Sequence, residues 1–415
     1  MPDPYDSGRY DYDRAEPEAV GAPRGRMSRL DRVRARRNQN RRRAIGLGAL
    51  GVLIAVVVAL VFLGIKIFGG TSEYTGEGKD DVVVQVHDGD STTQVAQTLR
   101  DTNVVANVKS FVDASKDNAA IAAIQPGYYK MRTEMSASAA VTRLADPANR
   151  VGKLVIPEGR QLDDVKAVGS DKTTDGIFTL IANASCVELN GQRKCVSAEG
   201  LRKAAEQTEP AALNIPEWAM QPVLSLGGNH RRLEGLIAPG AWNVDPSGTP
   251  EAILATLIAE STTHYVKGGL LDTAKAMNLS PYEILVVGSL VQREAKPQDF
   301  AKVARVIYNR LAAPQRLEFD STVNYPLDRQ EVATTDADRA QVTPWNTYAS
   351  DGLPATPICS PGDEALAAAE RPEPGDWLYF VTVDLEGTTL FTKDYQQHLT
   401  NIELARRNGV LDSAR

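Results

Sequence analysis

The sequence predicts an α+β protein behind a single N-terminal transmembrane helix, with a small strand-and-helix subdomain preceding a larger mixed α+β domain. Three observations predict it. Ala44 to Ile65 is a run of 22 residues without a charge. Val82, Val84 and Val86 alternate as a strand does, ahead of a capped amphipathic segment, and from Pro250 onward apolar residues recur at helical spacing. The 415 residues, 42% hydrophobic and 24% charged, suffice for one or two substantial cores and exclude a disordered polymer.

At 1.5 Å per residue the uncharged run spans about 30 Å of hydrocarbon, and it exceeds the roughly 7 to 15 apolar residues of a cleaved signal peptide. Ten arginines from Arg24 to Arg43 precede it and Lys66 alone follows closely, which places the N-terminus in the cytoplasm and the rest outside. Residues 1–43 hold 12 Lys and Arg against 7 Asp and Glu, whereas the remainder holds 34 against 46. The arginine run therefore suits anionic lipid at the cytoplasmic membrane, and the body is a poor polyanion binder, so no nucleic-acid partner is expected. The expected organisation is a disordered basic cytoplasmic tail at 1–43, a transmembrane helix at 44–68, a linker at 69–80, a small subdomain at 81–150 and a large domain at 151–410.

In the small subdomain the strand ends at Gly89, and Ser91 can cap a helix carrying Val95, Ala96 and Leu99 on one side. The spacing of Val84, Val86 and Gly89 recurs at Leu154, Ile156 and Gly159, a weak repeat of strand, turn and helix. Such a unit resembles LysM-like glycan-binding modules. Cys186 and Cys195 bracket an Asn190-Gly191 hairpin turn. Counting outward from the turn sets them opposite each other in a non-hydrogen-bonded pair, where a disulfide fits, and an exported domain permits one. Cys359 is left over and reads as packing. With four His and no Cys/His cluster, no zinc-site spacing is present.

Ser280, Pro281 and Glu283 supply the N-cap, first-turn proline and N3 acid of a capping box, which starts a helix. Its body, ILVVGSLVQREA, is apolar enough to require enclosure, and Gly288 permits close approach by a neighbour. At 100° per residue Glu294 projects about 20° from Val287, 40° from Leu290 and 60° from Val291, so an acid ends an apolar stripe. Semi-burial there would keep the carboxyl protonated near neutrality, as a general acid needs. The alternative is that the helix surfaces at this point and Arg293 or Lys296 neutralises the acid.

Seven strings in order and spacing carry a resemblance: VIPEG at 155–159, LEGLIAP at 233–239, GSLVQREA at 288–295, VARVIYNRL at 303–311, RLEFDSTVNY at 316–325, WNTYASDGLPATPICSPG at 345–362 and LYFV at 378–381. Together they resemble the endolytic murein transglycosylases of the MltG (YceG-like) family, over roughly residues 81 to 405. The resemblance implies a membrane-tethered enzyme with a LysM-like subdomain and a mixed α+β transglycosylase catalytic domain. It implies cleavage within nascent peptidoglycan glycan strands that leaves 1,6-anhydro ends, without metal or other cofactor.

It assigns the acid-then-base role to Glu294, with Gln292 where other members often carry a second acid. Glu234 and Asp320 become candidates for stabilising charge on the sugar ring or for hydrogen bonding in the cleft. Ser321, Thr322, Tyr325, Asn346, Thr347 and Tyr348 are candidate sugar hydrogen-bonding groups and Trp345 a candidate stacking face, against turn capping and aromatic core packing as the alternative. Glu234, Glu294, Asp320 and Asn346 are expected around one groove. Trp242, Trp345 and the GTTLF string at 387–391 depart from the family pattern, the last lacking its His. Penicillin-binding synthases are partners by analogy only. A non-catalytic membrane-anchored scaffold that binds glycan and recruits such synthases, and a hydrolase, are the competing readings.

Overall fold

The computed structural model describes residues 73–410 except 117, 167–171 and 328–333. The expected tail at 1–43 and span at 44–68 lie outside these, and among the described residues no helix is long and apolar enough to cross a membrane.

The alternating valines form strand β1 (Asp81–Val86), with Val84 and Val86 inward. Ser91 then caps α1 (Thr92–Asp101) in a capping box completed by Gln94, and Val95, Ala96 and Leu99 are its buried face. Strand β2 (Gly127–Arg132), helix α2 (Ala137–Ala145) and the short strand β3 (Arg150–Val151) complete the small unit. Its antiparallel sheet has the order β1-β2-β3, and Phe111, Met131 and Leu144 join the α1 face in one core.

The chain passes from this sheet to the next at Gly152, whose φ of +70° is left-handed and where a Cβ would lie 1.9 Å from the Val244 carbonyl oxygen. Strand β4 (Lys153–Ile156) then pairs antiparallel with β7 (Gly240–Asn243). The expected repeat holds here as strand and turn but not as helix. After Gly159 the chain stays extended, because the Gly159 N–H donates to the Ser360 carbonyl (2.8 Å) and the Ser360 N–H to the Arg160 carbonyl (2.8 Å). Those bonds to a distant loop replace the local ones that a helix would need.

Strands β5 (Val187–Leu189) and β6 (Gln192–Lys194) form a hairpin about Asn190-Gly191, with Cys186 and Cys195 bonded across its base at a Cα separation of 4.3 Å. Its tip reaches the small unit: the Asp81 N–H donates to Asn190 Oδ1 (2.7 Å) and the Asn190 N–H to Asp81 Oδ2 (2.9 Å). Lys130, Arg132 and Arg143 surround that Asp81 carboxylate.

The large core is built on helices α3 (Pro250–Gly268), α4 (Pro281–Glu294), α5 (Phe300–Ala312) and α7 (Asp363–Glu370). Between α5 and α7 lies the short helix α6 (Asp320–Asn324), and the hairpin of β8 (Tyr379–Thr382) and β9 (Thr389–Thr392) leads into the terminal α8 (Tyr395–Arg407). Helix α4 starts at the Ser280/Glu283 capping box, and its residues from Ile284 to Val291 are all buried. Each large aliphatic side chain there contributes about 1.5–3 kcal/mol of transfer free energy. Gly288 lets α7 approach, since a Cβ would sit 3.4 Å from Leu366 Cδ1.

Polar groups on α4 fix the resembling strings against it. Ser289 Oγ accepts from the Ile358 N–H (3.0 Å), Gln292 Oε1 accepts from the Gly362 N–H (2.8 Å), and Cys359 packs its thiol on the Ser289 carbonyl. The Ser360 hydroxyl donates to the Ile237 carbonyl (2.6 Å), which ties the loop to LEGLIAP. Gly235 in that string has φ +76°, and a Cβ would lie 2.5 Å from Pro357 Cβ. Gly235→Ala combines left-handed strain with overpacking and is expected to cost about 2–4 kcal/mol in urea-unfolding measurements.

Candidate active site

Helix α4 ends at Glu294 because Ala295 turns extended (φ −140°, ψ 170°) and Pro297 follows. The acid thus sits at a helix C-terminus, where the macrodipole disfavours negative charge. It is half-buried, and its Oε1 accepts a hydrogen bond from the Ser321 hydroxyl in the first turn of α6. Burial raises the carboxyl and the neighbouring Asp320 charge adds to that; Ser321, Arg293 and Arg310 pull the other way, leaving it pushed up to about 7. Neither alternative drawn from the sequence holds alone: the helix does surface here and Arg293 does help the charged form, yet desolvation prevails.

Asp320 faces the same place and remains partly open, its side chain 36% exposed. It accepts from the Thr334 hydroxyl (2.7 Å), the Tyr348 hydroxyl (2.8 Å) and the Arg339 guanidinium (3.2 Å). Arg339 also lies over the Tyr348 ring, 4.9 Å from its centroid. On the other side Arg310 is buried, donating to the carbonyls of Leu317 (2.5 Å) and Leu378 (2.7 Å) with its guanidinium 5.5 Å from the Tyr379 ring. Glu294, Ser321, Asp320 and Tyr348 are therefore one constellation, in which a protonatable acid stands beside a carboxylate whose donors hold it in place.

The other residues expected around the groove lie in the interior, and direct sugar contact is corrected for them. Glu234 is 1% exposed; its Oε2 accepts from the Leu162 N–H (3.1 Å) and the Tyr325 hydroxyl (2.8 Å), and burial pushes its carboxyl up to about 8. It ties the segment after VIPEG to the end of α6. Trp345 is not a stacking face: its indole N–H donates to the Thr356 hydroxyl (2.8 Å) and its ring meets Tyr325 edge-on with centroids 5.4 Å apart. Asn346 is buried and donates to the carbonyls of Arg339 (3.0 Å) and Gln341 (2.6 Å), so it shapes the loop that delivers Arg339. Thr322 and Thr347 bond to each other (2.9 Å), and Thr347 Oγ1 accepts from the Phe319 N–H (3.0 Å), holding α6 in place. A site needs side chains with an open flank, which Glu234, Thr322, Trp345, Asn346 and Thr347 lack; Tyr325 is also buried, with its hydroxyl given to Glu234, and its remaining surface lines a cavity.

Thr334, Arg339 and Arg310 were missed by sequence reasoning. For Arg310 the signal was available: Val303, Val306, Ile307 and Arg310 fall on one helical stripe, the same misplaced-charge pattern that singles out Glu294. Thr334 and Arg339 carry no such mark. Among the described residues no group of three or more His, Cys, Asp or Glu is arranged to hold a metal ion.

This arrangement defines a class, a mixed α+β protein with one raised carboxyl beside a fixed carboxylate at the end of an enclosed helix. The profile of the YceG-like family matches residues 84–404, and the chain belongs to that family. It is 26% identical over 325 residues to an endolytic murein transglycosylase of Bacillus subtilis (strain 168), covering 78% of this chain and 84% of that one. It is also 26% identical over 371 residues to a protein of the same name from Streptococcus pneumoniae serotype 2, covering 84% of this chain but only 64% of the relative's length. The crystal structure of a YceG-like protein from Listeria monocytogenes superposes with a TM-score of 0.50 at 26% identity, covering 77% of this chain and 98% of that one.

Two consequences can be measured. Ser321→Ala removes a donor that favours the ionised form and is expected to raise the Glu294 titration midpoint, whereas Asp320→Asn removes a like charge and is expected to lower it; carboxyl-carbon NMR titration reads both. For Glu234, a folded value of about 8 against an ordinary carboxyl in the unfolded chain makes its stability contribution full below about pH 4.5, and the contribution is lost as pH rises through about 8. Urea unfolding at pH 5 and pH 8 should show a smaller loss of stability with rising pH in Glu234→Gln than in the wild type.

Proposed function

We propose that the protein is an endolytic lytic transglycosylase that cleaves the β-1,4 bond between MurNAc and GlcNAc in nascent peptidoglycan strands. The reading rests on one observation: the Glu294 carboxyl is raised to about 7 at the open end of its helix, with Ser321 donating to it and Asp320 alongside. A group half-protonated near neutrality can give a proton and take one back.

In the forward step Glu294 protonates the glycosidic oxygen, the bond from MurNAc C1 to that oxygen breaks, and the GlcNAc-terminated fragment leaves with a hydroxyl. Positive charge on the MurNAc ring is opposed by the Asp320 carboxylate. The Glu294 carboxylate then accepts the proton of the MurNAc C6 hydroxyl as O6 bonds to C1, which forms the 1,6-anhydro ring and restores the acid. No water is consumed. Two-carboxylate glycosidases divide the acid and nucleophile or base roles; here the substrate supplies the nucleophile and a single glutamate serves twice.

The expected span at 44–68, with its uncharged run from Ala44 to Ile65, would anchor the enzyme in the cytoplasmic membrane with its N-terminus inside and the catalytic domain outside, near newly polymerised glycan. The small unit at 81–150, with its strand, capped helix and three-stranded sheet, would serve as the LysM-like glycan-holding module. Penicillin-binding synthases are the partners this location favours.

Incubating the full chain in mild detergent with uncrosslinked glycan tests the reading. Products are expected whose combined mass equals that of the substrate, and Glu294→Gln should lower the rate by about 10²–10⁴-fold. Products heavier by one water would make the protein a hydrolase, and no cleavage beyond the Glu294→Gln level would make it a scaffold. Because the free enzyme must carry the proton, kcat/KM is expected to fall above about pH 7.

A further inference from the structure

Two hollows open in the large domain, about 620 Å³ and about 310 Å³ in volume, within the range of pockets that hold small ligands. They share Gln161, Asp163 and Val165 as lining, and the smaller is also lined by Arg293, the residue next to Glu294. They therefore adjoin as one trough, and its smaller part is lined by the neighbour of the acid. Nothing in the reaction described above uses the larger hollow.

Where the two hollows meet, and into the larger one, the lining carries a fixed charge cluster. The Asp163 carboxylate meets the Arg202 guanidinium at 2.7 Å, the Arg231 guanidinium at 3.1 Å and His230 Nε2 at 2.8 Å. Arg231 is further held over two aromatic faces, 5.6 Å from the Tyr325 centroid and 5.9 Å from that of Trp345. Lys166 lines the same cavity, and Glu199 lies 3.9 Å from Arg202, so charges of both signs meet around the cluster. Each guanidinium carries five N–H donors in a rigid fork, and Asp163 occupies only part of them. The contacts that hold these forks also pre-order them, so a carboxylate entering the pocket meets bidentate donors at little entropic cost.

The wall carries the opposite sign as well. Asp164 and Glu199 line the same cavity, with Phe178 and Leu162 as apolar surface. A dianionic phosphate would be repelled by those two acids, whereas a short peptide with both carboxylate and amine groups would match both signs. We propose that this trough is a subsite for the acidic, amine-bearing peptide branch of a glycan strand, with Arg202 and Arg231 taking its carboxylate. The inference rests on the reading of the substrate as peptidoglycan, whose sugars carry such a branch close to the bond cut at Glu294.

The test uses the full chain in mild detergent and two glycan preparations, one with peptide stems and one stripped of them. Arg202→Gln, at a partly exposed position where folding should persist, is expected to lower the ratio of kcat/KM on stem-bearing to stripped glycan about tenfold, the size of one lost charge-assisted hydrogen bond. An unchanged ratio in a folded variant would overturn the proposal. If neither glycan is cut, the proposed function fails and binding still decides the subsite. In the Glu294→Gln protein, a stem tripeptide of L-alanine, D-glutamate and diaminopimelate should bind by calorimetry, Arg202→Gln should weaken it about tenfold, and inorganic phosphate should not compete. Absence of binding, or displacement by phosphate, would contradict the assignment.

Discussion

The structure turns on the removal of water from one carboxyl. Glu294 ends a helix whose preceding turns are enclosed on all sides, so its charged form lacks the hydration an exposed glutamate would have. The helix C-terminus and Asp320 push in the same direction, and the Ser321 hydroxyl moderates them. Much of the surrounding fold serves that balance. Ser289 and Gln292, which precede the acid in the same helix, hold the 358–362 loop, and Gly288 admits the neighbouring helix α7. Loosening any of these contacts would let water reach the acid and return it toward an ordinary carboxyl.

A raised carboxyl does not by itself make a catalyst, and the contrast with Glu234 shows why. That residue is displaced further, to about 8, yet it is enclosed by Leu162 and Tyr325 and joins two segments of chain. Glu294 is displaced less and keeps a flank open. Desolvation favours the protonated form in both, and access separates them. Asp320 completes the contrast as a carboxylate left partly exposed, held by Thr334, Tyr348 and Arg339.

What could be read from the sequence was local. The Ser280 capping box, the start of α4, the stripe that runs into Glu294 and the Asn190-Gly191 hairpin between two cysteines all follow from spacing and turn chemistry within a few residues. The helix expected after Gly159 did not form, because its backbone pairs with Ser360, 200 positions away in the chain, and no local pattern announces such a partner. The roles of Trp345, Asn346 and Thr347 were illegible for a related reason. Polar and aromatic residues in a shared string look the same whether they face a groove or brace the loop behind it, and only the folded chain shows that these brace. Arg310 was legible by the rule applied to Glu294, whereas Arg339 depended on a loop whose path the sequence does not encode locally.

The small unit and the catalytic body are joined by more than the chain at Gly152. Asn190 at the tip of the bridged hairpin exchanges two hydrogen bonds with Asp81, the first residue of β1, so the small unit is fixed against the hairpin of the larger body. The central claim nevertheless concerns a single proton. Infrared difference spectra of the wild type against Glu294→Gln, recorded from pH 4 to pH 9, would isolate the carbonyl band of that protonated carboxyl. The account predicts that the band persists through mildly acidic solution and disappears with a midpoint near 7. Disappearance near the ordinary glutamate value of about 4.3 would contradict it.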